Sequence, residues 1–175
     1  MDEPVAWLQQ AISDRAAAER LWDDANSAEW CHVVAKHQQT VEKAIKAIVA
    51  ALRDRGVLGV TIGYQHPVEP FVSALIRLRR TAGNRDITSH LSRLLDQSTR
   101  ASIHALEDLI PRQPPRGQPH RRNTEYPFQD SANQWTCPAA KDTFSLPEIQ
   151  RFRDLSHRIA DGAERIIRTI RRAPK

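Results

Sequence analysis

Apolar side chains recur every three or four positions along most of this chain, which is the spacing of an α-helix and not of a β-strand. The clearest apolar stripe runs from about 28 to 54. Its members are Trp30, Val34, His37, Val41, Ile45, Ile48 and Leu52. Gly56 follows in the position of a C-terminal helix cap, so the pattern predicts a long second helix that ends just before this glycine.

The same spacing predicts four further helices, over about 5–24, 67–80, 87–109 and 146–170. Turn-prone residues separate them, at 25–27 and at 83–84, and the glycine-containing stretch 56–67 is predicted to be a loop. Pro67 suits the first turn of the third helix, and Pro111 ends the fourth. Ser145 and Glu148 have the spacing of a capping box at the start of the last helix.

Between the last two helices the chain has little periodicity and many prolines, and no strand pattern competes with the helical one. A loop of this length in a compact domain is often functional. The sequence therefore predicts an all-α fold, an up-and-down bundle of four to five helices in one domain over 1–175. A long proline- and arginine-rich loop insertion at about 111–144 precedes the last helix.

Composition narrows the class of protein. No run of about 18 uncharged apolar residues occurs, so a membrane-spanning protein is excluded, and the acidic start lacks the pattern of a secretory signal. The two cysteines, Cys31 and Cys137, are too few for a metal cage of their own. We expect a cytoplasmic protein with free thiols.

The positive charge is unevenly distributed. Residues 1–110 contain 13 lysines and arginines against 14 acidic residues, a net charge of −1, whereas residues 111–175 contain 13 against 7, a net charge of +6. The long loop and the last helix are therefore candidates for a phosphate-facing surface, although a basic surface that only keeps a protein soluble is about as common.

The second helix resembles the HEPN family (higher eukaryotes and prokaryotes nucleotide-binding domain), which typically carries a glutamine-rich turn followed by Glu-Lys-Ala-x-Lys-Ala. The matching residues are Gln38, Gln39, Glu42, Lys43, Ala44, Lys46 and Ala47. A histidine-containing loop at 64–66 and a Tyr-Pro pair at 126–127 follow in family order. The insertion at 111–123 is longer and more basic than the family pattern, and Glu125 stands where an arginine often precedes the Tyr-Pro pair.

The resemblance implies a helical bundle that dimerises and that either cleaves RNA without a metal ion or binds nucleotides or partner proteins. Catalytic members carry an arginine, a polar residue and then a histidine near the junction of the third and fourth helices. Arg85, Asp86 and His90 match this spacing, whereas the aromatic residue common two positions after the histidine is Ser92 here.

Chemistry at Arg85 and His90 suits RNA cleavage if Asp86 caps the fourth helix and Arg85 lies just outside it. Both side chains would then face one anion at the positive end of the helix dipole. Histidine can transfer the protons of an attack by the 2′-hydroxyl, and arginine can bind the phosphoryl oxygens, so no metal ion or other cofactor is required. A helix start that happens to contain these residue types needs no catalytic explanation, so both interpretations stay open.

Other candidate residues would bind the substrate. Asp86, Arg121, Arg122 and Tyr126 are predicted to contact RNA, and Trp135 is a second candidate for base stacking. A buried structural role for Tyr126 is an equally good interpretation. Lys43 and Lys46 are spaced to meet a phosphate, but Lys46 also forms an ordinary i,i+4 pair with Glu42. His37 lies on the apolar stripe and is interpreted as a core histidine.

Two functions follow for testing. The first is a HEPN-type RNA-targeting protein, a metal-independent endoribonuclease or toxin that uses Arg85 and His90 across a homodimer. The second is a non-catalytic module that dimerises and binds a nucleotide, RNA or a partner nucleotidyltransferase.

Overall fold

The computed structural model describes residues 1–24, 30–63, 68–81, 85–110, 118–140 and 143–172, with the backbone alone at 79–81. These residues form six helices and one short β-hairpin. In chain order the elements are α1 (Glu3–Asp23), α2 (Trp30–Asp54), α3 (Glu69–Thr81), α4 (Arg85–Leu94), α5 (Gln97–Glu107), β1 (Phe128–Gln129), β2 (Trp135–Thr136) and α6 (Leu146–Arg172). The predicted all-α bundle is confirmed.

The second helix, α2, is the centre of the bundle, and α1 and α6 pack along it. Every residue from Ala44 to Leu52 is buried, so this part of α2 meets other protein on all sides. The apolar stripe of α6 faces it with Ile149, Phe152, Leu155, Ile159, Ile166 and Ile170, all buried. The helical periodicity of the sequence therefore marks the faces that form the core.

Gly56 ends α2 as the sequence predicts. Its φ of +68° is left-handed, a conformation that glycine adopts without a steric penalty. The Gly56 N–H donates to the Arg53 carbonyl at 2.8 Å and the Val57 N–H to the Leu52 carbonyl at 2.9 Å, which is the pattern of a Schellman motif.

The predicted fourth helix over 87–109 is wrong as one continuous element. It divides into α4 and α5 at Leu95 and Asp96. The Asp96 carboxylate accepts a hydrogen bond from the Thr99 N–H at 2.7 Å and so starts a new helix, and this bond lowers the pKa of Asp96 to about 2. The apolar spacing continues across the break, which is why periodicity alone did not reveal it.

The long loop contains the only strands among the described residues, which the sequence pattern did not predict. Phe128 pairs with Thr136 and Gln129 with Trp135 in a two-stranded antiparallel hairpin. Asn133, with a φ of +58°, lies in the turn. The predicted turns at 25–27, 64–67 and 83–84 and the predicted helix stop at Pro111 lie outside the described residues.

Both α4 and α5 lie against α6. Gly162 of α6 sits so close to Leu94 that a Cβ at this position would collide with the leucine side chain. Across the parts of the chain that the structure describes, no helix is long and apolar enough to cross a membrane.

Replacing Gly56 with alanine is expected to destabilise the protein by about 1 kcal/mol, because alanine in the left-handed region strains the backbone while its Cβ meets open space. Gly59→Ala is the matched control, since a Cβ there also meets nothing within 4 Å and its φ is not left-handed. Urea unfolding of both variants measures the effect. Equal loss of stability in the two would show that the left-handed cap is not its source.

Candidate functional site

Arg85 and His90 both lie within α4, whose first residue is Arg85. Asp86 is therefore in the first helical turn, and the expectation that Asp86 caps the helix with Arg85 outside it is wrong. Arg85 and Asp86 are exposed, whereas His90 is half-buried.

Helix geometry separates the two predicted catalytic side chains. Five residues correspond to about 140° around the axis and about 7.5 Å along it. Arg85 lies opposite the buried face formed by Ile87, Leu91 and Leu94, and His90 lies beside that face. Within one chain the two side chains therefore leave α4 on different sides.

The Arg122 side chain makes contacts within the protein. Its guanidinium donates to both carboxylate oxygens of Glu148, at 3.0 and 2.7 Å, and to the Thr143 carbonyl. It also lies 4.6 Å from the centre of the Phe144 ring. These contacts fasten the long loop to the first turn of α6, so Glu148 acts as the partner of an arginine from the loop.

The segment before Tyr126 is held by a buried asparagine that the sequence analysis did not single out. The Asn123 carbonyl oxygen accepts from the backbone N–H groups of Glu125 and Tyr126, at 2.8 and 2.6 Å. Its amide nitrogen donates to the backbone carbonyls of Arg121 and Tyr126. This local pattern is common for asparagine in turns, and it gives the loop a defined shape.

Gln38 joins three parts of the fold. Its amide nitrogen donates to the Leu106 carbonyl in α5 at 2.7 Å, and its carbonyl oxygen accepts from the Thr124 hydroxyl at 3.4 Å. The glutamine-rich turn of α2 is thereby brought against the loop that carries Tyr126. Residues 38 and 124 are far apart in the sequence, and no local sequence pattern predicts their contact.

A cleft opens between these elements, and we call it the α2–loop cleft. It has a volume of about 260 Å³ and is lined by Ala35, Gln38, Gln39, Glu42, Ile110, Glu125 and Tyr126. The Gln39 oxygen accepts from the Lys36 ammonium at 2.8 Å, so the N–H groups of Gln39 are the part of its amide left for a ligand. The cleft thus combines an aromatic ring, an amide and carboxylates.

Tyr126 forms the aromatic wall of the cleft. It is 48% exposed, and its ring stacks on His120 with centroids 5.0 Å apart and planes inclined by 15°. Arg121, the neighbour of His120, is exposed. Of the predicted substrate-binding residues, Tyr126 therefore lines the cleft, Arg121 is exposed in the same loop, and Asp86 lies on α4.

The lysines of the α2 motif are engaged in ion pairs. Lys43 contacts the buried carboxylate of Asp14 on α1. Lys46 is 1% exposed; it contacts Glu42 at 2.7 Å and lies 5.0 Å from the centre of the Trp7 ring. Of the two interpretations of Lys46, the i,i+4 pair with Glu42 is the one that the structure contains.

Part of the positive charge of α6 is also paired. Arg153 donates to both carboxylate oxygens of Glu19 on α1, and His157 contacts the same carboxylate at 2.8 Å. Burial raises the pKa of Glu19, but these hydrogen bonds outweigh it and hold the pKa below its ordinary value. Arg171 contacts Asp2, so α6 cations fasten this helix to α1 in two places.

His37 is a core histidine, as its place on the apolar stripe predicts. It is fully buried, and its Nδ1 lies 2.9 Å from the Ser156 hydroxyl, which itself donates to the Arg153 carbonyl. Because the hydroxyl proton is used in that bond, Nδ1 is the donor to the Ser156 oxygen. Burial is the main cause that lowers the pKa of His37 to about 4.

Three side chains that the sequence analysis did not single out bring metal-type donor atoms together. Glu69 of α3 and His104 and Glu107 of α5 place one donor atom each within 4.8 Å of one another. The spacing of His104 and Glu107, three residues apart on a helix, is the sequence signal that could have indicated their shared face. Their meeting with Glu69 depends on how α3 and α5 pack.

Comparison of this chain with protein-family models, with curated proteins and with solved structures finds no match.

The buried neutral state of His37 predicts a pH dependence of stability. Because the pKa is about 4 in the folded protein and about 6.5 when unfolded, the unfolded chain binds the proton first as the pH falls between these values. Lowering the pH from 7 to 4.5 is therefore expected to remove about 2 kcal/mol of stability through this residue alone.

The measurement is urea unfolding at both pH values for the native chain and for His37→Gln, which keeps a polar side chain but does not titrate. The native protein should lose more stability than the variant. The same loss in both would place the acid sensitivity in other groups.

Proposed function

We propose that this protein is a non-catalytic helical module that binds a nucleotide or single-stranded RNA, with one base held in the α2–loop cleft. The single observation that carries the proposal is the accessible Tyr126 ring, stacked on His120 at the edge of a polar cleft. A base that stacks on an aromatic side chain while polar groups bond its edge is the usual mode of single-strand recognition.

The size and polarity of the cleft suit one base. Its volume of about 260 Å³ is just below the range of about 300–1,000 Å³ typical of pockets for drug-sized ligands. Carboxylates such as Glu125 accept hydrogen bonds from the amino groups of bases, and the Gln39 amide supplies donors for their carbonyl oxygens. Arg121 is exposed in the same loop as Tyr126 and is our candidate for the cation that binds the backbone phosphate.

The resemblance of α2 to the HEPN family supports the same function, because its motif residues Gln38, Gln39 and Glu42 line the cleft together with Tyr126. The resemblance also adds a homodimer and a partner nucleotidyltransferase to the proposal. We favour binding over RNA cleavage because Arg85 and His90 leave α4 on different sides and Arg122 is bonded to Glu148.

Tyr126→Ala is expected to weaken the binding of a fluorescently labelled single-stranded RNA by roughly 5-fold to 150-fold, since loss of one stacked base contact costs about 1–3 kcal/mol. Trp135→Ala is the matched control. Trp135 is 67% exposed and belongs to the same loop, but it does not line the cleft. Fluorescence anisotropy at several salt concentrations measures both variants.

Equal weakening by both substitutions would contradict the assignment of the base to the cleft. No binding of RNA or of mononucleotides by the native chain would refute the proposal as a whole.

Cleavage is tested separately by incubating the native chain, Arg85→Ala and His90→Ala with RNA in the presence of a chelator. We expect intact RNA in all three reactions. Cleavage by the native chain that disappears in both variants would overturn the non-catalytic proposal and establish the ribonuclease function, with the two residues meeting across a dimer.

A further inference from the structure

The start of α3 and the end of α5 meet at a group of metal-type ligands that the proposed function does not use. Glu69 comes from the first turn of α3, and His104 and Glu107 come from the last turn of α5. One donor atom from each lies within 4.8 Å of the others. Donor atoms that share one cation stand about 3–4 Å apart, so small side-chain movements bring these three into range.

Glu107 is held rigidly at the centre of the group. It is 6% exposed, and one of its carboxylate oxygens accepts hydrogen bonds from the backbone N–H groups of Val68 and Glu69. The carboxylate thus satisfies the N-terminus of α3 while its position relative to His104 is set by the helix that carries both. Because this carboxylate is already fixed, little side-chain entropy is lost there when an ion binds.

Glu69 contributes an oxygen whose bonding is incomplete. Its Oε1 accepts from the Ser73 hydroxyl at 2.6 Å, which orients the carboxylate. Its Oε2 is buried, and no donor in the described part of the chain forms a hydrogen bond with it. The Glu69 side chain as a whole is 42% exposed, so a cation that enters from solvent can supply the partner that this oxygen lacks.

His104 does not meet that requirement by itself. Its Nε2 lies 3.7 Å from Glu69 Oε2, which is within ion-pair range but too long for a hydrogen bond. A cation between the two atoms would bond to both of them. His104 is 56% exposed on its side chain, so an ion has an open path to the group from solvent.

We propose that Glu69, His104 and Glu107 bind one divalent transition-metal ion, of which Zn²⁺ is the best match. One imidazole and two carboxylates are borderline to hard ligands that suit Zn²⁺, Co²⁺ or Mn²⁺. The set carries two negative charges when the histidine is neutral, and it leaves a coordination position for water. The bound ion joins the N-terminus of α3 to the C-terminus of α5.

The test uses the full chain, treated with a chelator and then titrated with Co²⁺, whose visible absorption reports its ligands. We expect one equivalent to bind and to raise the midpoint of thermal unfolding by about 5 °C when the ion is in large excess over its dissociation constant. Competition with Zn²⁺ should abolish the absorption. The absence of stoichiometric binding would refute the site.

Substitutions locate the ion. His104→Ala and Glu69→Gln should each weaken Co²⁺ binding at least 10-fold and remove the thermal shift, because each deletes one ligand. Both side chains are partly exposed, so the variants should fold. His32→Ala is the matched control, since His32 is exposed on α2 and remote in sequence from the group.

Unchanged binding in His104→Ala, or equal weakening in His32→Ala, would assign the ion to other surface histidines and overturn the proposal. His104→Ala is expected to bind RNA as the native chain does. The metal site and the α2–loop cleft are therefore tested by separate measurements.

Discussion

Between Ala44 and Leu52 every residue of α2 is buried, so this helix is surrounded by protein and its polar side chains must find partners inside the bundle. Lys46 does so with Glu42 and the Trp7 ring. One turn or more before this stretch, the buried His37 uses its Nδ1 to bond Ser156. Removing one partner of such a pair leaves a buried polar group uncompensated, which is why these contacts constrain how α1 and α6 sit on α2.

The α2–loop cleft depends on this central helix. One wall is a helix face that the core holds in place, and the other is a loop segment shaped by Asn123 and fastened to α6 by Arg122. Gln38 connects the two walls through Thr124. A polar cleft is therefore built on rigid supports even though Tyr126 belongs to a proline-rich loop, and such preorganisation lowers the entropy lost when a ligand binds.

Several arginines of the basic C-terminal segment are paired with carboxylates in the folded protein, which the charge count along the chain does not reveal. The net charge of +6 in residues 111–175 suggested a phosphate-facing surface. Arg122, Arg153 and Arg171, however, pair with carboxylates of other elements. Their charge fastens the loop and α6 to the bundle, whereas Arg121 remains exposed.

The sequence alone was sufficient to predict most of the helices and the cap at Gly56, because apolar spacing and a left-handed glycine act within a few residues of sequence. The sequence pattern did not reveal the helix break at Asp96, because the apolar spacing continues across the break. What only the tertiary structure decided is which distant groups meet: Gln38 with Thr124, and Glu69 with His104 and Glu107. These contacts depend on how whole helices cross, and crossing is settled by packing across the entire core rather than by any short pattern in the chain.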